Sequence, residues 1–233
     1  GMIPRGPSGG NYTFVMIGDP ATSFFSAAYH KGIRNWDEQA AFAGLMRNAF
    51  PGGIRDHAGY ETQSYSNGGG MAYYVNRGYV PLKIPKSQGG HRQGAAQTLE
   101  YSYQDWCLSQ LARSLDRKEE ADLLEKRANN YKNIWDPKTK WMRPRNLDGT
   151  WYEPFSPIND KGFTSPGFVE SASAIYTFYI PHDLKGLANL FGGADVMADR
   201  LNSNFEKAAP VNFIAEHGNH AISWVDYQNQ PAT

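Results

Sequence analysis

Several carboxylates in this chain stand beside aromatic rings. Glu153 lies within Trp151-Tyr152-Glu153-Pro154-Phe155, Glu170 comes after Phe168-Val169, and Asp183 comes after Pro181-His182. Rings strip water from a neighbouring acid, which raises its pKa and suits it to general acid catalysis. Each carboxylate also has a purely structural reading. Asp183 can cap the next helix. Glu170 can be a first-turn acid facing a helix dipole, and Glu153 can be the ion-pair partner of a loop cation. Of His30, His57, His91, His182, His217 and His220, only the last two lie close in sequence. That pair needs a helix and a third ligand before it can hold zinc. No phosphate loop, HExxH helix or nucleophile elbow is present, and Gly52-Gly53, Gly68-Gly69-Gly70 and Gly89-Gly90 read as turns.

These residues must be positioned by helices. Asp19-Pro20 places an N-cap and a first-turn proline ahead of Ala21, Phe24, Phe25 and Ala28, and Gly32 stops the run. Asp37 starts a second helix with Phe42, Leu45, Met46 and Ala49, closed by Pro51. Residues 51–70 read as a loop, and a short helix through Tyr74 and Val75 stops at Gly78. The strongest helical period runs over 93–115, with Ala96, Leu99, Tyr103, Trp106, Cys107, Leu111 and Leu115 as one stripe. A second helix over 118–135 buries Ala121, Leu124, Ala128, Tyr131 and Trp135; the short connector around Asp116 makes the two an antiparallel hairpin. Residues 137–167 form a long aromatic and charged loop, with Asp148-Gly149 as the turn of a small β-hairpin. Helical period resumes at Ala172, Ile175, Tyr176 and Tyr179. Asp183 and Asp195 then cap two further helices. The pattern is all-α, built of helical hairpins, and fits a bundle or a toroid.

The 233 residues are 40% hydrophobic and 20% charged, ordinary for a folded domain large enough to need no staples. Lys+Arg and Asp+Glu both number 23, so there is no electrostatic case for binding nucleic acid or an anionic membrane. Cys107 stands alone, which excludes an intrachain disulfide, and no apolar run approaches a membrane span. Aromatics reach 14%. Rings suit an aromatic-rich core, or a sugar that stacks its C–H face on a ring.

The run Thr98-Leu99-Glu100-Tyr101-Ser102-Tyr103-Gln104-Asp105-Trp106-Cys107 resembles the "TLEYAYDDWC" signature of glycoside hydrolase family 92, the calcium-dependent inverting exo-α-mannosidases. Further similarities run in order along nearly the whole chain. They are Met16-Ile17-Gly18-Asp19, Lys31-Gly32-Ile33-Arg34, Gly78-Tyr79-Val80-Pro81, Asn130-Tyr131-Lys132-Asn133, Met142-Arg143-Pro144-Arg145, Asp148-Gly149-Thr150-Trp151 and Pro181-His182-Asp183. The resemblance implies that residues 1–233 are a partial (α/α)6 catalytic toroid, truncated at the C-terminus and lacking the family's N-terminal β-sandwich. It implies a periplasmic or extracellular parent that removes terminal α-linked mannose, α-1,2-linked in particular, from mannose-containing glycans.

Glu170 aligns with the family's general acid, the Glu of "EGNAWQY", though Ser171-Ala172-Ser173-Ala174-Ile175-Tyr176 stands in place of "GNAWQY". Trp151, Glu153, Asp19 and His182 are implied as sugar-binding residues. Asn229 and Gln230, in place of the family's "NEP", are implied next to calcium. The "GNDDxGQMSAWY" segment that supplies the general base has no counterpart, so half of the inverting chemistry is missing. The alternatives are a non-catalytic carbohydrate-binding relative and a helical protein-interaction domain. A half-toroid also predicts exposed apolar helix faces and a homodimer.

Overall fold

Proline at the first helical position opens α1 (Pro20–His30), and Asp37 opens α2 (Glu38–Asn48) by accepting the Ala40 N–H at 2.9 Å. The computed structural model describes residues 1–5, 16–58, 67–84, 93–158 and 165–212. Asp19 stands at the N-cap position of α1, yet its side chain makes no cap bond; it accepts from the Thr22 hydroxyl and faces Arg55 instead. A buried guanidinium is a stronger partner for a carboxylate than a backbone N–H, so the expected cap is displaced.

The segment expected as loop after α2 contains a 3-10 turn, Ile54–Asp56, and two short antiparallel strands, β1 (His57–Ala58) and β2 (Asn67–Gly68). α3 (Met71–Arg77) ends on Gly78 in the left-handed conformation that a helix C-cap needs. α4 (Gly94–Ser114) and α5 (Lys118–Ala128) form the expected hairpin, turning at Asp116 with φ 59°.

α4 is the central element. Its apolar stripe is widened by Gln97, Thr98, Ser102, Gln104, Asp105 and Ser109, all buried. The hydroxyls satisfy themselves locally: Thr98 donates to Gly94 O and Ser102 to Thr98 O, each at 2.7 Å. Tyr103 and Trp106, expected in the core, are only part-buried.

α5 ends earlier than expected. Asn129–Ile134 tightens to a 3-10 turn, and Trp135 enters β3 (Trp135–Asp136), which pairs antiparallel with β4 (Trp141–Met142). The turn at Asp148-Gly149 closes on an isolated bridge between Arg145 and Trp151. The small hairpin of the long loop is therefore present, with its longer pairing one turn upstream. α6 (Ser173–Tyr176) is a single turn, because Ser173 and Thr177 bond the β4 backbone on either side of Met142. Asp183 caps α7 (Leu184–Phe191) through the Gly186 N–H, while Asp195 falls in the first turn of α8 (Ala194–Asn212) and not at its cap.

The core lies around α4. One apolar cluster joins Tyr29, Phe42, Leu45, Leu108, Leu111 and Leu124. Another joins Leu99, Tyr131, Ile134, Met142, Phe168 and Leu187. The class is all-α, with helical hairpins and a small β-hairpin in a long loop. No described helix is long and apolar enough to cross a membrane.

Candidate functional site

Behind α4 runs a buried ion network. Asp105 accepts Arg55 Nη1 at 2.6 Å, Arg127 Nε at 2.8 Å and the Tyr74 hydroxyl at 3.1 Å. Two cations around one carboxylate leave positive charge for Asp19, whose Oδ2 lies 3.7 Å from Arg55 Nε and accepts the Thr22 hydroxyl at 2.6 Å. Asp19 is fully buried, and among the described residues its Oδ1 has no hydrogen-bond partner; neither do Arg55 Nε and Nη2. The network anchors the start of α1 against α4 and holds Asp19 rigidly.

On the other side of Asp19, Gly18 covers Glu100. A Cβ at Gly18 (φ 76°) would stand 3.2 Å from Glu100 Oε2 and 2.6 Å from Gln104 Nε2, so only glycine fits. Glu100 Oε2 accepts from Gln104 Nε2 at 3.0 Å and from the Tyr179 hydroxyl at 3.4 Å. Burial pushes the Glu100 acid up to about 7, against lowering by the Tyr179 bond and the charges of Arg5 and Arg55.

Glu170 precedes α6 and does not lie within it. It is part-buried and takes φ 49°, a left-handed conformation that costs a side chain about 1 kcal/mol or more. Its loop is held firmly. Ser165 N–H donates to Ser171 O, Ala96 N–H to Gly167 O, and the Tyr176 hydroxyl to Val169 O. The Tyr176 ring packs on Tyr179, and Tyr179 reaches Glu100. The loop of Glu170 and the carboxyl of Glu100 are thus joined through two tyrosines.

Trp151 and Glu153 gather around Arg143. Its guanidinium pairs with Asp136 at 2.9 Å and with Glu153, donates to Tyr152 O, and lies 5.9 Å from the Trp151 ring and 4.9 Å from Phe155. Glu153 is exposed and also accepts the Phe155 N–H, which is its loop ion-pair reading. Burial would raise Asp136, but Arg143 and the Lys138 N–H outweigh it and hold that carboxyl low. This hairpin is tied to α6 by the Ala174 N–H bonded to Pro157 O at 2.8 Å.

His182 sits on a different stretch of the same face. Its Nε2 lies 2.9 Å from Ala128 O, and its ring meets Tyr103, Trp106 and Tyr131 at 5.7–6.3 Å. Burial lowers its pKa, against raising by Ala128 O and Asp183, and favours neutral imidazole. Asp183 is the helix cap. Burial alone would raise its carboxyl, yet the Tyr131 hydroxyl at 2.7 Å, the Gly186 N–H and nearby Lys132 hold it below the usual range.

The structure links Glu100 to the Glu170 loop through Tyr179 and Tyr176, packs His182 on Tyr103 and Trp106 of α4, holds Asp19 in the buried network behind α4, and sets Trp151 and Glu153 on a separate hairpin around Arg143. Asn229, Gln230, His217 and His220 lie outside the described residues. Glu100 does not stand out in the sequence as a site residue. Its signature run is visible there, but its burial under Gly18 needs the fold. Among the described residues no group of three or more His, Cys, Asp or Glu could hold a metal ion.

This fold and geometry have known relatives. The family model for the glycosyl hydrolase family 92 catalytic domain matches residues 1–233. A curated relative from Arthroderma benhamiae, an uncharacterized secreted glycosidase, is 26% identical over 211 residues, covering 81% of this chain and 26% of that protein. Among solved structures, a family 92 inverting mannosidase from Bacteroides thetaiotaomicron superposes with a TM-score of 0.72 at 31% identity, covering 88% of this chain and 25% of that one. A family 92 α-mannosidase of the same organism, in complex with mannoimidazole, gives a TM-score of 0.72 at 27% identity over 88% of this chain and 25% of that one. The chain thus spans about a quarter of the length of these relatives.

Proposed function

Because the chain belongs to glycosyl hydrolase family 92, we propose that it forms part of the (α/α)6 catalytic domain of an enzyme that removes terminal α-linked mannose, α-1,2-linked in particular, from glycans with inversion. Similarity to an inverting mannosidase and to an α-mannosidase supports the substrate class. The observation that carries the chemistry is the backbone of Glu170. A non-glycine residue at φ 49°, in a loop bonded to α4 and to Tyr176, is held at a conformational cost, as residues are where a side chain must be aimed.

In this reading Glu170 protonates the leaving glycosidic oxygen. The carboxylate base that activates water on the opposite face comes from residues outside this sequence, so the 233 residues alone do not turn over. Trp151 offers a ring to the sugar, and Glu153 is steadied beside it by Arg143. Asp19, fixed by Arg55 and Thr22, and neutral His182 complete the polar wall.

The calcium of the family reading finds no donor set among the described residues. The buried carboxylates Asp19, Asp105 and Asp136 are committed to arginines. Asn229 and Gln230 lie outside the described residues. The secreted relative supports a periplasmic or extracellular location for the longer protein.

A binding-only relative is the second reading, favoured by one observation. Ser173, just after Glu170, is buried and spends its hydroxyl on Met142 O, so it holds the loop instead of lining a sugar site. Mannose release from an α-1,2-mannobioside by the full-length protein decides between the two. Wild type should release mannose, and Glu170→Gln should lose roughly 10²–10⁴-fold in kcat, the usual worth of a general acid. No release by wild type would overturn the hydrolase reading.

A further inference from the structure

Glu170 takes its left-handed φ of 49° between two tied stretches of loop. Before it, Val169 O accepts the Tyr176 hydroxyl at 3.2 Å, and Gly167 O accepts the Ala96 N–H at 2.9 Å. After it, Ser171 O accepts the Ser165 N–H at 3.0 Å. A peptide unit is planar, so the direction of Val169 O also fixes that of the Glu170 N–H, and with it one side of the φ rotation. Of these three bonds, only the one to Val169 comes from a side chain.

The seat of Tyr176 is built from elsewhere in the chain. Tyr176 ends α6, and α6 is pinned to β4: the Ser173 hydroxyl donates to Met142 O at 2.5 Å, and the Thr177 hydroxyl accepts the Met142 N–H at 3.0 Å. The Tyr176 ring lies 5.4 Å from the buried Phe168 ring and 6.4 Å from the Tyr179 ring. Gly167, at φ 89°, presses the base of the loop onto Pro144, where a Cβ would collide. A pinned backbone and a packed ring aim the hydroxyl at one carbonyl. Left-handed backbone is unfavourable for a residue with a side chain, and a hydrogen bond is of the size needed to hold it. Without that bond the Val169–Glu170 peptide is free to turn, and the Glu170 carboxyl turns with it.

We propose that Tyr176 is a positioning residue for Glu170, its hydroxyl on Val169 O setting the peptide unit from which the acid is aimed at the glycosidic oxygen. The proposal rests on the reading of Glu170 as general acid. In that step the glycosidic oxygen keeps the electron pair of the breaking C–O bond and takes the Glu170 proton. The contribution of Tyr176 therefore grows with the leaving group's need for a proton. Tyr176 itself gives up no proton in this role.

The test uses the full-length protein as wild type, Tyr176→Phe, Glu170→Gln and the double variant. Each is assayed on an α-1,2-mannobioside and on a dinitrophenyl α-mannoside, whose leaving phenolate needs no proton. Tyr176→Phe keeps the ring and removes only the bond to Val169. On the mannobioside its kcat should fall about 10-fold, with KM within about 2-fold of wild type. On the dinitrophenyl mannoside its kcat should stay within about 2-fold of wild type. The double variant should be no slower on the mannobioside than Glu170→Gln alone, because Tyr176 acts through that acid. A Tyr176→Phe protein that does not fold, or that loses equally on both substrates, makes Tyr176 a structural residue and overturns the proposal. If Glu170→Gln loses turnover on the mannobioside and Tyr176→Phe does not, the positioning role falls and the acid reading stands. If Glu170→Gln matches wild type, or wild type releases mannose from neither substrate, both fall.

Discussion

Glu153 and Asp183 carry the same charge and sit beside the same kinds of ring, yet both are taken up by polar partners, and those of Asp183 hold its carboxyl below the usual range. Glu153 points to solvent and Arg143, and Asp183 spends both oxygens on Tyr131 and Gly186. The acid that burial does raise is Glu100, where no cation comes into ion-pair range among the described residues. This makes a stability prediction at the scale of one residue. A carboxyl with a folded value near 7 and an ordinary value near 4.5 binds its proton more tightly in the folded state. Its contribution is full below about pH 4.5 and is lost as pH rises through about 7, by at most about 1.4 kcal/mol per unit, less for its part exposure. Urea unfolding should therefore show wild type losing more stability than Glu100→Gln between pH 5 and pH 8. Equal slopes would show that Glu100 titrates as an ordinary surface acid. Asp183 is legible as a cap in the sequence because cap and N–H are three residues apart. Asp19 reads as a cap there and is not one, because its partner Arg55 is distant in sequence.

At the scale of elements, α4 does most of the positioning. It carries Glu100, Tyr103 and Trp106 on one face and Asp105 on the other. Asp105 joins α4 to the turn of Arg55, to α3 through Tyr74 and to α5 through Arg127. Replacing it strands two buried guanidinium groups. Asp105→Asn should cost roughly 3–5 kcal/mol in denaturant unfolding, the penalty for an unpaired buried charge. A loss under about 1 kcal/mol would mean that the network is hydrated in solution. The long helix and its hairpin with α5 are legible from apolar period alone. The end of α5 and the single turn of α6 are not, because each is cut short by bonds to backbone far along the chain, as when Thr177 accepts the Met142 N–H.

The whole molecule leaves apolar surface open. Phe24 is 69% exposed and Ile33 54%, and both edge an apolar cavity of about 390 Å³ with Phe25 and Trp36. With about a quarter of its relatives' length, the chain alone should self-associate through this corner of α1. Sedimentation at increasing concentration should show a dimer for the isolated chain, shifted toward monomer by Phe24→Asp. A wild-type monomer throughout would remove the homodimer from the reading. The all-α class, the helical hairpins, the family resemblance and the cap at Asp183 can all be read from the amino-acid order, since they depend on spacing within a few turns. Which carboxylates are paired, which acid is desolvated and where Tyr103 and Trp106 face emerge only on folding. Ion pairing and burial depend on residues brought together from distant parts of the chain, and no local pattern encodes that meeting.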